Sequence, residues 1–353
     1  MQYPALMINR GKLYNNIKVI TSLCREAGIE VSAVTKVFCA HPEIVKVFAD
    51  AGVQDFADSR LQNLKRIPFA AGRKMLLRMP MISEAEEVVR FSDISCNTEM
   101  KTVEALSAAA QKHHVTHGIV MMIEMGDLRE GILPEDAMAF AQMATRLPGV
   151  RLMGVGSNFN CYGGVLPTVG KLSQLVSIAK TIETACGLQL PIISGGNSGS
   201  IYLIREKKMP AGINHLRLGE VILRGYETSF QQKVEGLYAD VFTLRAEIIE
   251  LKDKPSVPYG EIGLNAFGAK PQFTDKGSIR RAILACGRQD VLWDHIVPLD
   301  GGIELIGASS DHLLLDVTRA EKPCSVGDTM DFSLDYGAIL AACTSEYVSK
   351  IVC

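Results

Sequence analysis

A lysine closes a run of small and apolar residues, Ser32-Ala33-Val34-Thr35-Lys36, and is the first candidate for chemistry in this sequence. An ammonium is costly to bury, so at the end of a buried strand it is paired, snorkels to water, or is used chemically. Further along stand Asp58-Ser59-Arg60, Asn97, Glu124 with Arg129, Asn158, Asn197-Ser198 and Arg217-Leu218-Gly219-Glu220, each at or just past the end of an apolar run. Ser198 offers a hydroxyl, and backbone N–H groups near Gly219 and Glu220 can face an anion with no side chain between. A lysine amine at one end of a pocket and a phosphate cradle at the other suit pyridoxal phosphate, held by the lysine as a Schiff base. Phosphate-sugar aldolases and isomerases combine the same groups, so residue types alone leave the chemistry open.

These residues need a frame that brings them to one place. Apolar runs recur at 31–36, 53–57, 74–79, 93–97, 118–125, 151–157, 190–194 and 215–223. Helix-period segments lie between them. Pro42 opens one that Gly52 ends, Ser83-Glu84-Ala85-Glu86 reads as a capping box, 102–113 is alanine-rich, and 169–186 stops at Gly187. Eight such units predict a closed (β/α)₈ barrel of TIM type over 8–228. A doubly wound open sheet would want a G-x-G-x-x-G after an early strand, and no glycine stands between Lys36 and Gly52. In a barrel, chemistry lies at the C-terminal ends of the strands, where the candidate residues fall. Beyond Gly225 the pattern changes to β-type runs at 239–251, 281–286, 303–306, 312–317 and 329–334, with a helix over 338–349. This predicts a C-terminal mainly-β domain, 229–353 together with 1–7.

Composition narrows the partners. Hydrophobic residues make up 47% and charged ones 22%, as in an ordinary soluble enzyme. A net charge of −2 without blocks of one sign speaks against nucleic acid or a membrane surface as partner. The start of the chain carries no basic-then-apolar leader, and the most apolar window, Gly118 to Ile123, is too short to span a bilayer. Nine scattered cysteines with no C-x-x-C pair argue against a disulfide framework or a zinc ribbon and for a cytoplasmic location.

Over nearly its whole length the chain resembles the fold-type III, pyridoxal-phosphate-dependent alanine racemases, most closely their alanine/ornithine racemase branch. Carrying the resemblance are Ile8-Asn9-Arg10-Gly11-Lys12-Leu13-Tyr14-Asn15-Asn16, Ala33-Val34-Thr35-Lys36, Gly126-Asp127-Leu128-Arg129-Glu130-Gly131-Ile132, Asn197-Ser198 and Leu216-Arg217-Leu218-Gly219. In the second domain Pro258-Tyr259-Gly260, Gly287 to Asp290, Ser309-Ser310-Asp311, Asp316-Val317-Thr318 and Thr344-Ser345-Glu346-Tyr347 follow in the family's order.

The resemblance implies roles position by position. Lys36 would carry the cofactor as a Schiff base and serve as one of two bases. Arg217 would donate to the pyridine nitrogen, which favours racemisation over transamination. Asn197, Ser198, the amides of Gly219 and Glu220, and Tyr347 would hold the phosphate, with Asn158 beside the cofactor. Arg129 would meet the cofactor oxygen or the substrate carboxylate. A homodimer with composite active sites is implied, the β domain of one subunit closing the barrel mouth of the other, and no metal.

The departures from the family are equally informative. Asn158 stands where alanine racemases have a histidine, and Met122 where many have a carbamylated lysine. Where they have a tyrosine base this chain reads Gly287-Arg288-Gln289-Asp290, and arginine cannot act as a base near neutral pH. Arg288 and Asp290 are the expected contributions of the β domain to the partner's site, a simple ion pair between the two being the alternative, with Asp290 as a partner for a distal ammonium in preference to a second base. The expected substrate is an amino acid, ornithine or another with a basic tail, which needs a carboxylate such as Asp290, Asp311 or Asp127. Alternatives are an alanine or serine racemase, a non-catalytic cofactor carrier, and a D-amino-acid lyase of the same fold. A carrier would lack the β domain. A lyase would need a metal site, and the only histidines after Gly225 are His295 and His312.

Overall fold

Eight short parallel strands close on themselves in a computed structural model that describes residues 2–68 and 72–353. They are β2 (Glu30–Val34), β3 (Asp55–Asp58), β4 (Arg73–Leu76), β5 (Ile94–Asn97), β6 (His117–Met122), β7 (Val150–Gly156), β8 (Ile192–Ser194) and β9 (His215–Leu218). β9 returns to β2 with Ser32 opposite Arg217 and Ala33 opposite Leu218. A helix follows each strand: α2 (Pro42–Asp50), α3 (Leu61–Arg66), α4 (Ala85–Phe91), α5 (Met100–Lys112), α6 (Ala137–Ala144), α7 (Val169–Cys186), α8 (Ile201–Arg205) and α9 (Glu220–Arg224). A further helix, α1 (Arg10–Glu26), precedes β2. The interior is packed with Val34, Ala57, Met75, Ile94, Cys96, Val120, Met122 and Ile192, so the barrel is a filled core whose rim is the available surface.

The local rules are visible in α7. Leu172, Leu175, Val176, Ala179 and Ile182 form its buried stripe, Thr168 accepts from the Lys171 N–H at 3.3 Å, and Gly187 ends it at φ 62°. Other expectations need correction. The strands are shorter than the apolar runs, because a barrel strand lasts only while a neighbour pairs with it. Lys36 therefore lies past β2, in a one-turn 3₁₀ helix over Lys36–Phe38, and does not itself end the strand. The capping box at Ser83 does not form. A 3₁₀ turn over Ile82–Glu84 occupies that place, and α4 starts after Glu84 with no side-chain cap.

The residues that flank the barrel in sequence fold as a second compact unit, comprising those up to Arg10 together with Asp240–Cys353, while Gly11–Ala239 form the barrel unit. The segment after α9 stays with the barrel because Asn16 on α1 holds it, donating to the Tyr238 carbonyl and accepting from the Tyr238 N–H, both at 2.8 Å. The second unit is an eight-stranded sheet. Its strands are β1 (Ala5–Ile8), β10 (Phe242–Pro255), β11 (Ser278–Ala285), β12 (Ile296–Pro298), β13 (Glu304–Ala308), β14 (His312–Asp316), β15 (Thr329–Leu334) and β16 (Ser349–Val352). The path β12-β15-β10-β11-β14-β13 is antiparallel, and β1 lies antiparallel to β10 and parallel to β16. Alternate residues of β10 from Phe242 to Ile248 are buried, the period expected of a sheet with one covered face. The expected C-terminal helix is α10 (Tyr336–Thr344), which ends before Tyr347. Tyr347 lies in the turn leading to β16 and is exposed.

Candidate active site

All the candidate residues of the first unit gather on the C-terminal rim of the barrel. The turn that carries Lys36 is held by a carboxylate one strand away. Asp58, fully buried at the end of β3, accepts from Thr35 Oγ1 at 2.6 Å, from the Arg60 N–H at 2.8 Å and from Asn63 Nδ2 at 3.1 Å. Burial pushes its carboxyl above the ordinary aspartate range, and the hydrogen bonds oppose that shift. Cys39 and Ala40 close the turn in the left-handed region, at φ 51° and 49°.

On the strand adjoining β2, Arg217 is buried and both of its Nη atoms meet acceptors. Nη2 donates to the Ser157 carbonyl and to Asn158 Oδ1, both at 2.7 Å, and Nη1 donates to Ser194 Oγ. Gly156 allows this: a Cβ there would lie 3.3 Å from Nη1. Burial lowers the guanidinium's pKa, and the nearby Glu130 charge opposes that shift. The neighbouring Cys96 thiol is pushed up to about 11 by burial and stands by as a neutral group. The counter-charge comes from elsewhere. Asn158 Nδ2 donates to Glu130, whose two oxygens also take Nε and Nη2 of Arg129 as a bidentate pair. That hydrogen-bonded pair raises the Arg129 pKa above its ordinary value. Two arginines are thus joined through one amide and one carboxylate.

The loop after β6 makes this arrangement possible. Glu124 accepts from the N–H groups of Gly126 and Leu128, and the chain returns so that the Glu124 N–H meets the Ile132 carbonyl at 2.9 Å. Gly131, at φ 156°, passes so close that a Cβ would be 2.4 Å from the Glu124 nitrogen. Asp127 does not present a carboxylate to a ligand, contrary to expectation. It is buried and accepts four backbone N–H groups, from Cys161, Tyr162, Gly163 and Val165, at 3.0 to 3.2 Å. A carboxylate so engaged holds a loop.

The proposed phosphate residues form a second group. Ser198 is buried and its Oγ accepts the Val221 N–H at 3.1 Å, which joins the turn after β8 to the first turn of α9. Asn197, rather than Ser198, caps the 3₁₀ turn there, its Oδ1 accepting from the Gly199 N–H at 2.8 Å while Nδ2 donates to the Phe159 carbonyl at 2.7 Å. Gly219 precedes Glu220 at the start of α9, and a Cβ on it would stand 3.1 Å from Val34 Cβ. A larger residue there would press on Val34 of β2. A hydroxyl, backbone amides, a buried guanidinium and a lysine amine are the donor set that pyridoxal phosphate requires.

In the second unit, Gly287 touches the backbone of the next hairpin: a Cβ on it would lie 2.1 Å from the Ser310 carbonyl oxygen. The Arg288 and Gln289 N–H groups donate to the carbonyls of Ser309 and Ser310, at 3.0 and 3.2 Å. Arg288 and Asp290, for which an ion pair was the alternative reading, go separate ways. Arg288 stacks on Phe267, 4.0 Å from the ring centre, lies 5.3 Å from that of Trp293, and donates to the Ala308 carbonyl. Asp290 is buried and closes its own turn, accepting the Gly287 N–H at 2.8 Å and Ser345 Oγ at 3.4 Å. Ser345 Oγ in turn accepts the Tyr347 N–H. Asp311 is exposed and accepts from Gln289 and from Ser310 Oγ. Among the described residues no three His, Cys, Asp or Glu side chains are grouped as a metal site needs. No helix among them is long and apolar enough to cross a membrane.

Asp58 was among the strand-end candidates read from sequence, whereas Glu130, Ser194 and His215 were not singled out. Glu130 had a signal, its place beside Arg129 in the Gly126-to-Ile132 loop. The others become visible only when neighbouring strands are brought together.

Comparison with known proteins follows the same outline. The family model described as "Alanine racemase, N-terminal domain" matches residues 8–227. Ornithine racemase of Acetoanaerobium sticklandii is 45% identical over 349 residues, covering 99% of each chain. Lysine racemase of Thermotoga maritima is 36% identical over 353 residues, again covering 99% of each. Among solved structures, alanine racemase from D-cycloserine-producing Streptomyces lavendulae superposes with a TM-score of 0.78 at 16% identity, over 100% of this chain and 97% of its own.

Proposed function

The chain belongs to the alanine racemase family, and on that premise we propose that it is a pyridoxal-phosphate-dependent racemase of ornithine or another amino acid with a basic tail. One observation carries the reading of the site. Lys36, in the turn that follows β2, and Arg217, on the adjoining β9, lie at one barrel rim, with the Ser198 hydroxyl fastened to the start of α9. The names of both curated relatives contain a basic amino acid, which supports the substrate class.

When bound, pyridoxal phosphate supplies the electron sink that makes the α-proton acidic. The residues that would hold it are Lys36 covalently, Arg217 at the ring nitrogen with Asn158 behind it, and Asn197, Ser198, the amides of Gly219 and Glu220, and Tyr347 at the phosphate. Lys36 Nζ takes or returns the α-proton on one face. Arg129, clamped by Glu130, presents its remaining donor edge to the substrate carboxylate. A cationic Arg217 would donate to the ring nitrogen and disfavour its protonation, which would favour racemisation over transamination.

The second unit would act in the partner's site, in a cytoplasmic homodimer whose subunits close each other's barrels. Arg288, braced by Phe267 and Trp293, contributes charge and shape there rather than proton transfer. Asp290 shapes the turn that presents it. Of the three carboxylates expected for the basic tail, Asp127 and Asp290 are buried and engaged, so the assignment goes to the exposed Asp311.

The test begins with the absorbance of the purified, cofactor-loaded enzyme. Borohydride should fix the cofactor to Lys36, and peptide mapping that finds it on another lysine would overturn the assignment. A chiral screen of ornithine, lysine, alanine and serine should then show fastest racemisation with a basic amino acid. If loaded enzyme racemises none of them, the proposed function is wrong.

A further inference from the structure

We propose that His215 is a positioning residue for Arg217, acting through Ser194 as a neutral hydrogen-bonded arm whose imidazole carries its proton on Nε2. The inference deepens the function proposed above and rests on it for its kinetic readout alone. His215 opens β9, two residues before Arg217, and is buried between two hydroxyls. Its Nδ1 lies 2.8 Å from Ser194 Oγ and its Nε2 lies 2.9 Å from Ser32 Oγ. Ser194 Oγ is also the acceptor for Arg217 Nη1. The line Arg217–Ser194–His215–Ser32 therefore runs from the guanidinium into the barrel wall, crossing β8, β9 and β2.

Two neutral tautomers satisfy these distances, and counting protons does not separate them, since each leaves one hydroxyl proton unassigned. Electrostatics does. Ser194 Oγ accepts from a cation, which polarises its own O–H and makes it the stronger donor along the chain. An Nδ1 lone pair turned towards that hydroxyl also directs the negative end of the imidazole dipole at Arg217. The other tautomer would direct an N–H at a buried positive charge. An imidazolium would place a second buried cation beside the first; burial and Arg217 together push the His215 pKa down to about 3.

The arm has a use because Arg217 has two ends. Nη2 is drawn towards the charged side, through Asn158 to Glu130, and without an opposing acceptor the head could rotate towards it. Ser194 supplies that acceptor on Nη1, and His215 fixes the direction of the Ser194 hydroxyl. A neutral arm restrains the guanidinium without offsetting the charge that the site needs.

The direct test is a two-bond ¹H–¹⁵N spectrum of the histidine rings in the cofactor-loaded enzyme at pH 7, with His215 assigned by loss of its signals in His215→Phe. The expected pattern is a neutral ring protonated at Nε2, and Ser194→Ala should move His215 towards a mixture of tautomers. A ring protonated at Nδ1, or an imidazolium, would overturn the proposal even if turnover is normal. No turnover in the unaltered enzyme with the expected tautomer would instead strike the racemase reading. In kinetics, Ser194→Ala and His215→Phe should each lower kcat about tenfold, the cost of losing one buried hydrogen bond, with KM held within about twofold. His215→Gln should recover part of that loss. The double variant should fall no further than the worse single one, and additive losses would show that the two residues do not act as one arm. If His215→Phe fails to fold, Ser32→Ala assigns the ring by its shift and tests the same line from its far end.

Discussion

Replacing Glu130 with Gln changes one atom and should disturb both arginines of the site. The carboxylate now receives three donors, two from Arg129 and one from Asn158. A glutamine keeps one acceptor oxygen, and its NH₂ faces the guanidinium in either orientation and the Asn158 amide as well in one of them, donor against donor. A hydrogen bond to a charged group contributes about 1.5–3 kcal/mol. Arg129 is 42% exposed, so water recovers part of that end and the lower figure applies there. On the other side Glu130 is 17% exposed and answers the buried charge of Arg217, so that loss is screened less. Together these give about 2 kcal/mol in transition-state binding, or roughly thirtyfold in kcat/KM. Initial rates from each ornithine enantiomer, followed by chiral chromatography, measure it, with a urea melt of the same preparation to show that the fold is retained. Glu130→Asp, which keeps the charge but shortens the reach, should fall between the two. A change under about threefold in Glu130→Gln would refute the idea that this carboxylate serves both arginines.

Arg217→Glu would turn a carboxylate towards the Ser157 carbonyl, Ser194 and Asn158 Oδ1, lowering stability by about 3–5 kcal/mol in a denaturant melt. It should also slow racemisation and let transamination products appear, whereas an unchanged product profile at normal rate would separate Arg217 from the cofactor ring. Asp311→Asn should raise KM for ornithine roughly tenfold or more while leaving that for alanine within about twofold, and equal effects on both would remove Asp311 from tail recognition. Two buried histidines set an acid limit. His117 is held down to about 4 and His215 to about 3, both mainly by burial, so the folded state binds fewer protons than the unfolded chain. Their contribution is fully present above the unfolded value near 6.5 and is lost as pH falls towards 4 and 3. By pH 5.5 the two should together have cost about 3 kcal/mol, read from urea melts at stepped pH. His117→Phe should flatten that slope by about half, and an unaltered slope would mean that His117 is accessible to protons in the folded state.

Much of the site was legible because its chemistry is tied to local pattern. A lysine after a run of small and apolar residues, an Asn-Ser pair after another, and an Arg-Leu-Gly segment in a third each mark the end of a barrel strand. Period-2 and period-3.6 alternation told where strands and helices follow one another. The same patterns blurred the ends: Lys36 reads as the last residue of a strand, yet β2 stops at Val34 where its neighbours stop pairing. Short strands were missed for a related reason. β1, β12 and β16 have three or four residues each and little periodicity of their own, and they exist only through pairing with partners such as β10 and β15.

What tertiary structure alone decided is which polar groups share an environment. Asp127 and Asp311 look equally able to meet an ammonium in the sequence, and four backbone N–H groups from residues 161–165 take the first out of contention. Arg288 and Asp290 are two residues apart and of opposite charge, but two aromatic rings and a tight turn claim them separately. The link from Arg129 through Glu130 and Asn158 to Arg217, and onward to His215, joins positions spread over some 88 residues and four strands. The residue types, the order of elements and the family pattern are properties of the chain. The charge balance of a buried guanidinium is a property of its surroundings, because desolvation and hydrogen bonding act over a few ångströms in space and carry no trace of separation along the sequence.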